Sequence, residues 1–319
     1  MGATGDRAAD LHQGSFSDEP PWLVDPEAMT WRRAIPGLRR QLERDLPRLI
    51  APSKVPPGQR VIRTVVLIGT AVVTWAVGAR RKGGDTSIGD LARRLRLAAE
   101  RLGPTYIKLG QIISSGEGIF PAPLVEEFKK CRDQVPPEPF DVVRDVVEGD
   151  LGRPLEDVFS RFDPTPLAAA SIAQVHLATL HTGEEVVVKV QRPSVGHLVH
   201  RDLRVMAWVA PFLVGRIPVS ALANPPALVE VFANTITEEL DFRIEAENML
   251  DVARSFADLG QRDYVIPRPH PTLVTRRVLV MERLSGFKFD DVVGMKDAGV
   301  DTEKVVRTGM IGFMEGAMI

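Results

Sequence analysis

The chain holds a single cysteine, Cys131, in 319 residues. That excludes an internal disulfide and a cysteine-rich metal site, and it points to a reducing compartment. Tyrosine is nearly as scarce, at 2 copies, and aromatic residues total 6%. Little material is left for stacking platforms under single-stranded nucleic acid. No large charge of one sign is present: 40 basic and 42 acidic side chains give a formal net charge of −2. This also argues against nucleic acid as a partner. Residues 1–30 do not read as a secretory signal, because no apolar core follows a basic end. What is present is globular. The 44% hydrophobic and 26% charged residues exclude wholesale disorder and a polytopic membrane protein.

Residues 1–60 read as a flexible polar tail, closed by the Pro56-Pro57-Gly58 break. Residues 61–82 read as an apolar helix. Thr64 to Ala79 carries no charge; Arg60 and Arg63 precede it, and Arg80, Arg81 and Lys82 follow. Its ~16 uncharged residues span about 24 Å, short of the ~30 Å hydrocarbon core. An interfacial helix held by basic flanks at acidic headgroups fits, and so does a helix buried in a soluble core. Residues 83–150 read as helices, with Ile88, Leu91, Leu95, Ala98 and Leu102 at helical spacing. Strand patterning begins near 151. The runs 172–180 and 185–190, joined by His181-Thr182-Gly183, read as a hairpin. Residues 224–258 read as acidic helix and 278–281 as a further strand.

Four short patterns carry chemistry. Lys189 lies inside the run Val186-Val187-Val188-Lys189-Val190. An inward lysine on a strand needs an anionic partner, and in kinase folds such a lysine meets nucleotide phosphates and a helix glutamate. An outward lysine on a solvent face is the simpler alternative. Ala168-Ala169-Ala170-Ser171 lies between two strands, where a kinase carries a glycine-rich loop, yet no GxGxxG occurs. Alanine restricts positive φ, so nucleotide contact there would differ. The run 238–248 is acidic, and helical spacing puts Asp241 and Glu245 near one face. Lys108-Leu109-Gly110-Gln111 sits in a helical stretch, where a glycine costs ~1 kcal/mol relative to alanine and suggests close packing.

In this order and spacing the four patterns resemble the UbiB/AarF family of atypical, protein-kinase-like proteins, from about residue 85 to the end. Lys108-Leu109-Gly110-Gln111 is similar to the family's KxGQ motif, and Ala168–Ser171 to its alanine-rich loop. Lys189 matches the third-strand lysine, Glu239-Leu240-Asp241 the ExD motif, and Glu245 the αC-type glutamate. The resemblance implies an α+β fold. A kinase-like small lobe and hinge, with an antiparallel sheet plus an αC-type helix, would cover 151–286. An N-terminal helical KxGQ extension would cover 83–150, and 287–319 would begin a large lobe.

The resemblance further implies ATP as cofactor. Ala168, Ala169, Ala170, Ser171 and Lys189 would hold it, with Glu245 pairing to Lys189 and backbone groups near Glu282 and Leu284 meeting adenine. Lys108, with Gln111 beside it, would reach Glu239 and Asp241 and regulate access to the cleft. The implied activity is an ATPase supporting isoprenoid-quinone biosynthesis (ubiquinone or menaquinone) or lipid homeostasis. The implied partners are membrane lipids, prenyl-quinone precursors and quinone-biosynthesis enzymes, and the implied location is the cytoplasmic side of a membrane, peripherally attached. The alternative is a non-catalytic scaffold that binds membrane or prenyl lipid.

One departure is large. Phosphoryl transfer needs a catalytic-loop aspartate, a metal-binding asparagine and a DFG-type aspartate. His200-Arg201-Asp202-Leu203 carries the letters of a catalytic loop. It falls only 11 residues after Lys189 and before Glu245, however, and Ala207 stands where the asparagine belongs. It reads instead as the start of a surface helix. The chain is therefore expected to lack its catalytic half and to be inactive alone. No metal site is expected, magnesium entering only with the missing large lobe, and an apolar face should be exposed over 303–319.

Overall fold

The computed structural model describes residues 14–51, 53, 55–78, 84–131, 136–215 and 224–316. After a 3-10 turn at Thr30–Ala34 come α1 (Ile35–Leu49), α2 (Gln59–Gly78), α3 (Gly84–Leu102), α4 (Pro104–Ser114), α5 (Ala122–Phe128), α6 (Phe140–Leu151) and α7 (Leu155–Val158). Strands β1 (Phe159–Phe162), β2 (Ala168–Ala169), β3 (Ala173–Leu180) and β4 (Glu185–Gln191) follow. Then come α8 (Val195–Leu213), α9 (Pro225–Glu238), α10 (Phe242–Asp258), β5 (Pro269–Val274), β6 (Val278–Glu282), α11 (Val292–Asp297) and α12 (Thr302–Gly316).

The sheet is antiparallel, in the order β1-β3-β4-β6-β5, with short β2 also paired to β3. Gly183, at φ +102, closes the β3–β4 hairpin. That register sets Val175 and Leu279 on either side of Lys189. The period of two sorts the strand faces. Val186, Val188 and Val190 are buried with Val143, Val146 and Val147 of α6. Val187 and Lys189 take the opposite face, which α10 covers. Helix α6 packs on the sheet, so residues 140–150, read from the sequence as the end of the helical extension, lie against the lobe.

Other expectations change in the structure. Residues 14–49 are no flexible tail. Phe16, Val24, Met29, Trp31 and Ile35 are buried in the main core, and the Trp22 and Trp31 indoles donate to the Pro269 and His270 carbonyls at 3.1 and 3.2 Å. The apolar residues of this segment fall at neither helical nor strand spacing, so it reads as coil until its seats are known. Strand β5 escapes sequence reading because Pro269 and Pro271 interrupt it. It lies at the sheet edge, where a missing N–H removes no ladder bond. The acidic helix over 224–258 is two helices, broken at Glu239–Asp241. Helix α8 is no surface helix, since Val199, Asp202, Leu203 and Val205 are all fully buried.

Helix α2 starts two residues earlier than expected, and Ala79, Arg80, Arg81 and Lys82 lie outside the described residues. One face is anchored. Arg60, Thr64 and Ala71 are buried, Thr64 Oγ1 lies 3.2 Å from the Tyr106 hydroxyl, and Trp75 donates to the Ser87 carbonyl at 2.8 Å. The other face exposes Ile62, Val65, Val66, Val73 and Val77. Helix α12 docks through glycine: Gly312 faces the Tyr264 ring closely enough that a β-carbon would collide with it. Val306, Met310, Ile311, Phe313 and Met314 of this helix are exposed and Val305 is half-buried, while residues 317–319 lie outside the described ones.

Candidate functional site

Lys189 projects from the middle of β4 towards α10. Its ammonium donates to both carboxylate oxygens of Glu245, at 2.6 and 2.8 Å, and stands 5.0 Å from the centre of the Phe242 ring. Helix α10 is aimed by its N-cap. The Asp241 carboxylate accepts from the Arg243 backbone N–H at 3.1 Å, as a capping aspartate does, and the Phe242 N–H donates to the Arg276 carbonyl at 3.0 Å. Gln191, two positions after Lys189, donates its side-chain amide to the Leu240 carbonyl at 3.0 Å. Strand and helix start are thus tied together beside the ion pair. The side chains of Lys189 and Glu245 keep 23% and 35% of their exposure, so the pair is open to solvent and is not sealed in the core. On the same sheet face, Val175, Leu177, Val187 and Met281 form a half-buried apolar floor.

The alanine-rich segment forms a narrow hairpin tip. Ala168 and Ala169 pair with Val175 and Gln174, and the Ala170 N–H donates to the Ala173 carbonyl at 2.8 Å. Among the described residues no non-glycine residue has positive φ. The turn therefore closes without the conformation that makes glycine necessary, and alanine suffices. Ser171 is buried behind the tip. Arg192 braces it: the guanidinium donates to the Ala170 carbonyl at 3.1 Å, the Pro136 carbonyl at 2.9 Å and Glu138 at 2.8 Å. Sequence reading missed Arg192, whose role depends on partners 22 to 56 positions away. Beneath the hairpin, His176 is held between the Gln174 amide and the Asp163 carbonyl, each at 2.8 Å, and burial lowers its pKa.

From the helical extension, Lys108 on α4 lies 2.7 Å from Glu239. Gln111 is one turn along the same helix, with its carbonyl accepting from the Ser114 hydroxyl at 2.6 Å. Asp241 departs from expectation. Its carboxylate binds the Arg243 guanidinium at 2.6 and 2.9 Å and caps α10, so it is satisfied locally and Lys108 meets Glu239 alone. Glu239 is the C-cap of α9, and the two lysines therefore meet carboxylates on either side of a helix break, not on one helix. Gly110 lies against Phe128, and a β-carbon there would come within 2.5 Å of the ring.

At the far end of β6, the Glu282 side chain is buried against Arg268, 3.1 Å away, and also accepts from the Ser17 hydroxyl. Its backbone N–H donates to the Arg268 carbonyl at 2.9 Å. Any contact from Glu282 to a base therefore falls to its carbonyl. Leu284 is exposed. Among the described residues, no group of three or more His, Cys, Asp or Glu side chains is placed to hold a metal ion.

An antiparallel sheet with a lysine on its middle strand, ion-paired to a glutamate on the helix packed behind it, and a small-residue hairpin tip beside it make this a protein-kinase-like small lobe. The model of the ABC1 atypical kinase-like domain matches residues 130–318, more than half of the chain. A probable protein kinase UbiB of Marinobacter nauticus is 37% identical over 217 residues, which is 68% of this chain and 39% of that protein. The chloroplastic protein ACTIVITY OF BC1 COMPLEX KINASE 1 of Arabidopsis thaliana is 37% identical over 220 residues, 69% of this chain and 32% of that protein. A solved structure of a Mycobacterium tuberculosis protein in complex with erythromycin is 30% identical, with a TM-score of 0.41, covering 58% of this chain and 46% of that one. The chain belongs to the ABC1 family of atypical kinase-like proteins, the family of the UbiB proteins. It spans about two fifths of the length of the UbiB relatives it matches.

Proposed function

We propose that this chain is the ATP-binding part of a UbiB-type atypical kinase-like ATPase. The observation that carries the reading is the solvent-reached Lys189–Glu245 pair at 2.6 Å on the middle strand of the sheet. A half-buried lysine held by one carboxylate and open to solvent is a ready counter-ion for phosphate oxygens. The residues present fit ATP. Val175, Val187 and Met281 offer a flat apolar floor for a purine, and Lys189 lies about 7 Å further along the strand from Val187, where the phosphates would extend. ATP supplies the transferable phosphoryl group. Lys189 neutralises its α/β-phosphates, Glu245 orients Lys189, and the Ala168–Ser171 tip covers the phosphates. The Glu282 carbonyl and the Leu284 backbone reach the base. Magnesium would be held by residues other than the described ones.

Lys108, through Glu239, lays α4 across this end of the lobe, so the KxGQ helix restricts what can approach the nucleotide. Gln111 belongs to the same helix surface. Asp241 contributes through Arg243 and the α10 cap. By kinship with the UbiB proteins, the ATPase of the whole protein supports isoprenoid-quinone biosynthesis or lipid homeostasis. Its partners are prenyl-quinone precursors, membrane lipids and quinone-biosynthesis enzymes, at the cytoplasmic face of a membrane. The test is ATP affinity of the full 319-residue chain. Lys189→Ala is expected to weaken binding by about 10- to 100-fold, the worth of a charge-assisted contact. Unchanged affinity in that variant refutes the reading.

A second reading, a membrane-docked scaffold indifferent to nucleotide, is favoured by α2. It is the described helix long and apolar enough to cross a membrane, and only 17% of its most apolar stretch is buried in the protein. Its anchored Arg60–Thr64 face argues for lying on the surface with the valine face inward. Binding of the chain to anionic vesicles that is lost in Val66→Asp/Val73→Asp, and unaltered by ATP or by Lys189→Ala, favours this scaffold.

A further inference from the structure

Helix α10 is gripped on two sides. Glu245 faces the sheet. Glu247, two residues on and about 200° around the helix, faces the N-terminal segment instead. There the Arg32 guanidinium donates to both its oxygens, Nε to Oε2 at 2.7 Å and Nη2 to Oε1 at 2.6 Å. The two side chains are largely buried, at 22% and 12% exposure. Two further contacts follow the same line: Arg39 donates to Asn248 at 3.3 Å, and the Ser15 N–H donates to the Ala253 carbonyl at 2.8 Å. The segment is itself fixed to the lobe through Trp31 on the His270 carbonyl and Ser17 on the buried Arg268–Glu282 pair. Arg32 thus sits on a braced strap, outside the 130–318 region of the family match.

A helix tied at its N-cap can still roll about its axis. Rolling α10 would swing Glu245 off Lys189. A bidentate guanidinium–carboxylate contact resists this, because it fixes direction as well as distance. We propose that Arg32 is a positioning residue for Glu245: by holding Glu247 it sets the roll of α10, keeps Glu245 on Lys189, and thereby sets the nucleotide affinity of the cleft from the N-terminal strap. The claim rests on the ATP reading above for its affinity consequence, but not for the positioning of α10.

The test uses the full chain and four variants: Arg32→Glu, Glu247→Arg, the double exchange, and Lys189→Ala. ATP affinity and amide hydrogen exchange over residues 244–258 are measured for each, exchange being read without nucleotide. Each single charge reversal is expected to weaken ATP binding about tenfold and to speed exchange in α10. The double exchange, which restores the pair with reversed polarity, returns both to near the parent values. Amides of β3 and β4 stay protected throughout, which separates mispositioning from unfolding. If Lys189→Ala abolishes binding while the Arg32 and Glu247 variants bind as the parent does, the proposal is overturned and the ATP reading stands. Faster α10 exchange with unchanged affinity overturns it equally. If the parent does not bind ATP, the ATP reading fails; unchanged α10 exchange then overturns the positioning role, and faster exchange rescued by the double exchange upholds it.

Discussion

The Asp202 carboxylate receives the Arg60 guanidinium 2.5 Å from Nε and 3.1 Å from Nη2, and the two side chains are 0% and 7% exposed. The contact joins α2 to α8 across 142 positions of sequence. It also explains why an apolar helix with an unpartnered valine face stays at a defined angle on the lobe. Arg60 donates to the Leu102 carbonyl as well, so the end of α3 is held in the same knot.

Breaking this pair from one side strands a buried charge. Asp202→Ala is expected to lower unfolding free energy by about 3 to 5 kcal/mol, whereas the double change Arg60→Met/Asp202→Leu costs far less, because no ion is left unpaired. Urea midpoints with their slopes decide the matter. A single variant within about 1 kcal/mol of the parent would mean that the pair is solvated in solution.

The glycine of the KxGQ sequence has a packing reason that stands apart from any ligand. With the Phe128 ring on Gly110 and Cys131 Sγ next in line, Gly110→Ala should cost about 1 to 3 kcal/mol through overpacking, despite alanine's better helix propensity. Thermal melting reads this directly, and Gly110→Ala/Phe128→Leu should recover part of the loss. A melting temperature raised by Gly110→Ala alone would show that the ring moves aside freely.

Stability should fall on mild acidification through His270. Burial lowers its pKa from 6.5 to about 4. Its Nδ1 accepts from the Thr272 and Leu273 N–H groups, at 3.2 and 3.1 Å, and cannot take a proton while it does so. Above about pH 7 the imidazole is neutral folded or unfolded and contributes no slope. Between 6.5 and 4 the unfolded chain binds a proton that the folded one refuses. Stability therefore drops as pH falls, by about 3 kcal/mol at most from this group. Buried His176 acts in the same direction. His270→Asn keeps an acceptor without titrating there, so the gap between pH 7.5 and 4.5 in urea midpoint should narrow relative to the parent. Parallel pH curves for the two proteins would contradict the assignment.

The Lys189–Glu245 contact was legible only from several patterns taken together. Lys189 alone fitted an outward position as well, and it was the set order of the local KxGQ, alanine-rich and acidic strings that pointed it at a carboxylate. The β3–β4 hairpin announced itself through alternation and Gly183. What stayed hidden was set by partners far along the chain. The break at Glu239–Asp241 lies inside a run of good helix formers, and it shows only once Asp241 is seen capping α10 and binding Arg243. The prolines of β5 concealed an edge strand. The burial of Phe16, Met29 and Trp31 had no periodicity to betray it, so the strap that reaches Glu247 looked like a tail.

The claim at the centre is that ATP phosphates meet the Lys189 ammonium. Acylation of lysines in the 319-residue chain, mapped residue by residue with and without ATP, tests it most directly. Labelling of Lys189 is expected to fall when ATP is added, while the exposed Lys304 is labelled as before and adenosine, which has no phosphates, protects neither. Equal labelling of Lys189 at saturating ATP would contradict the account.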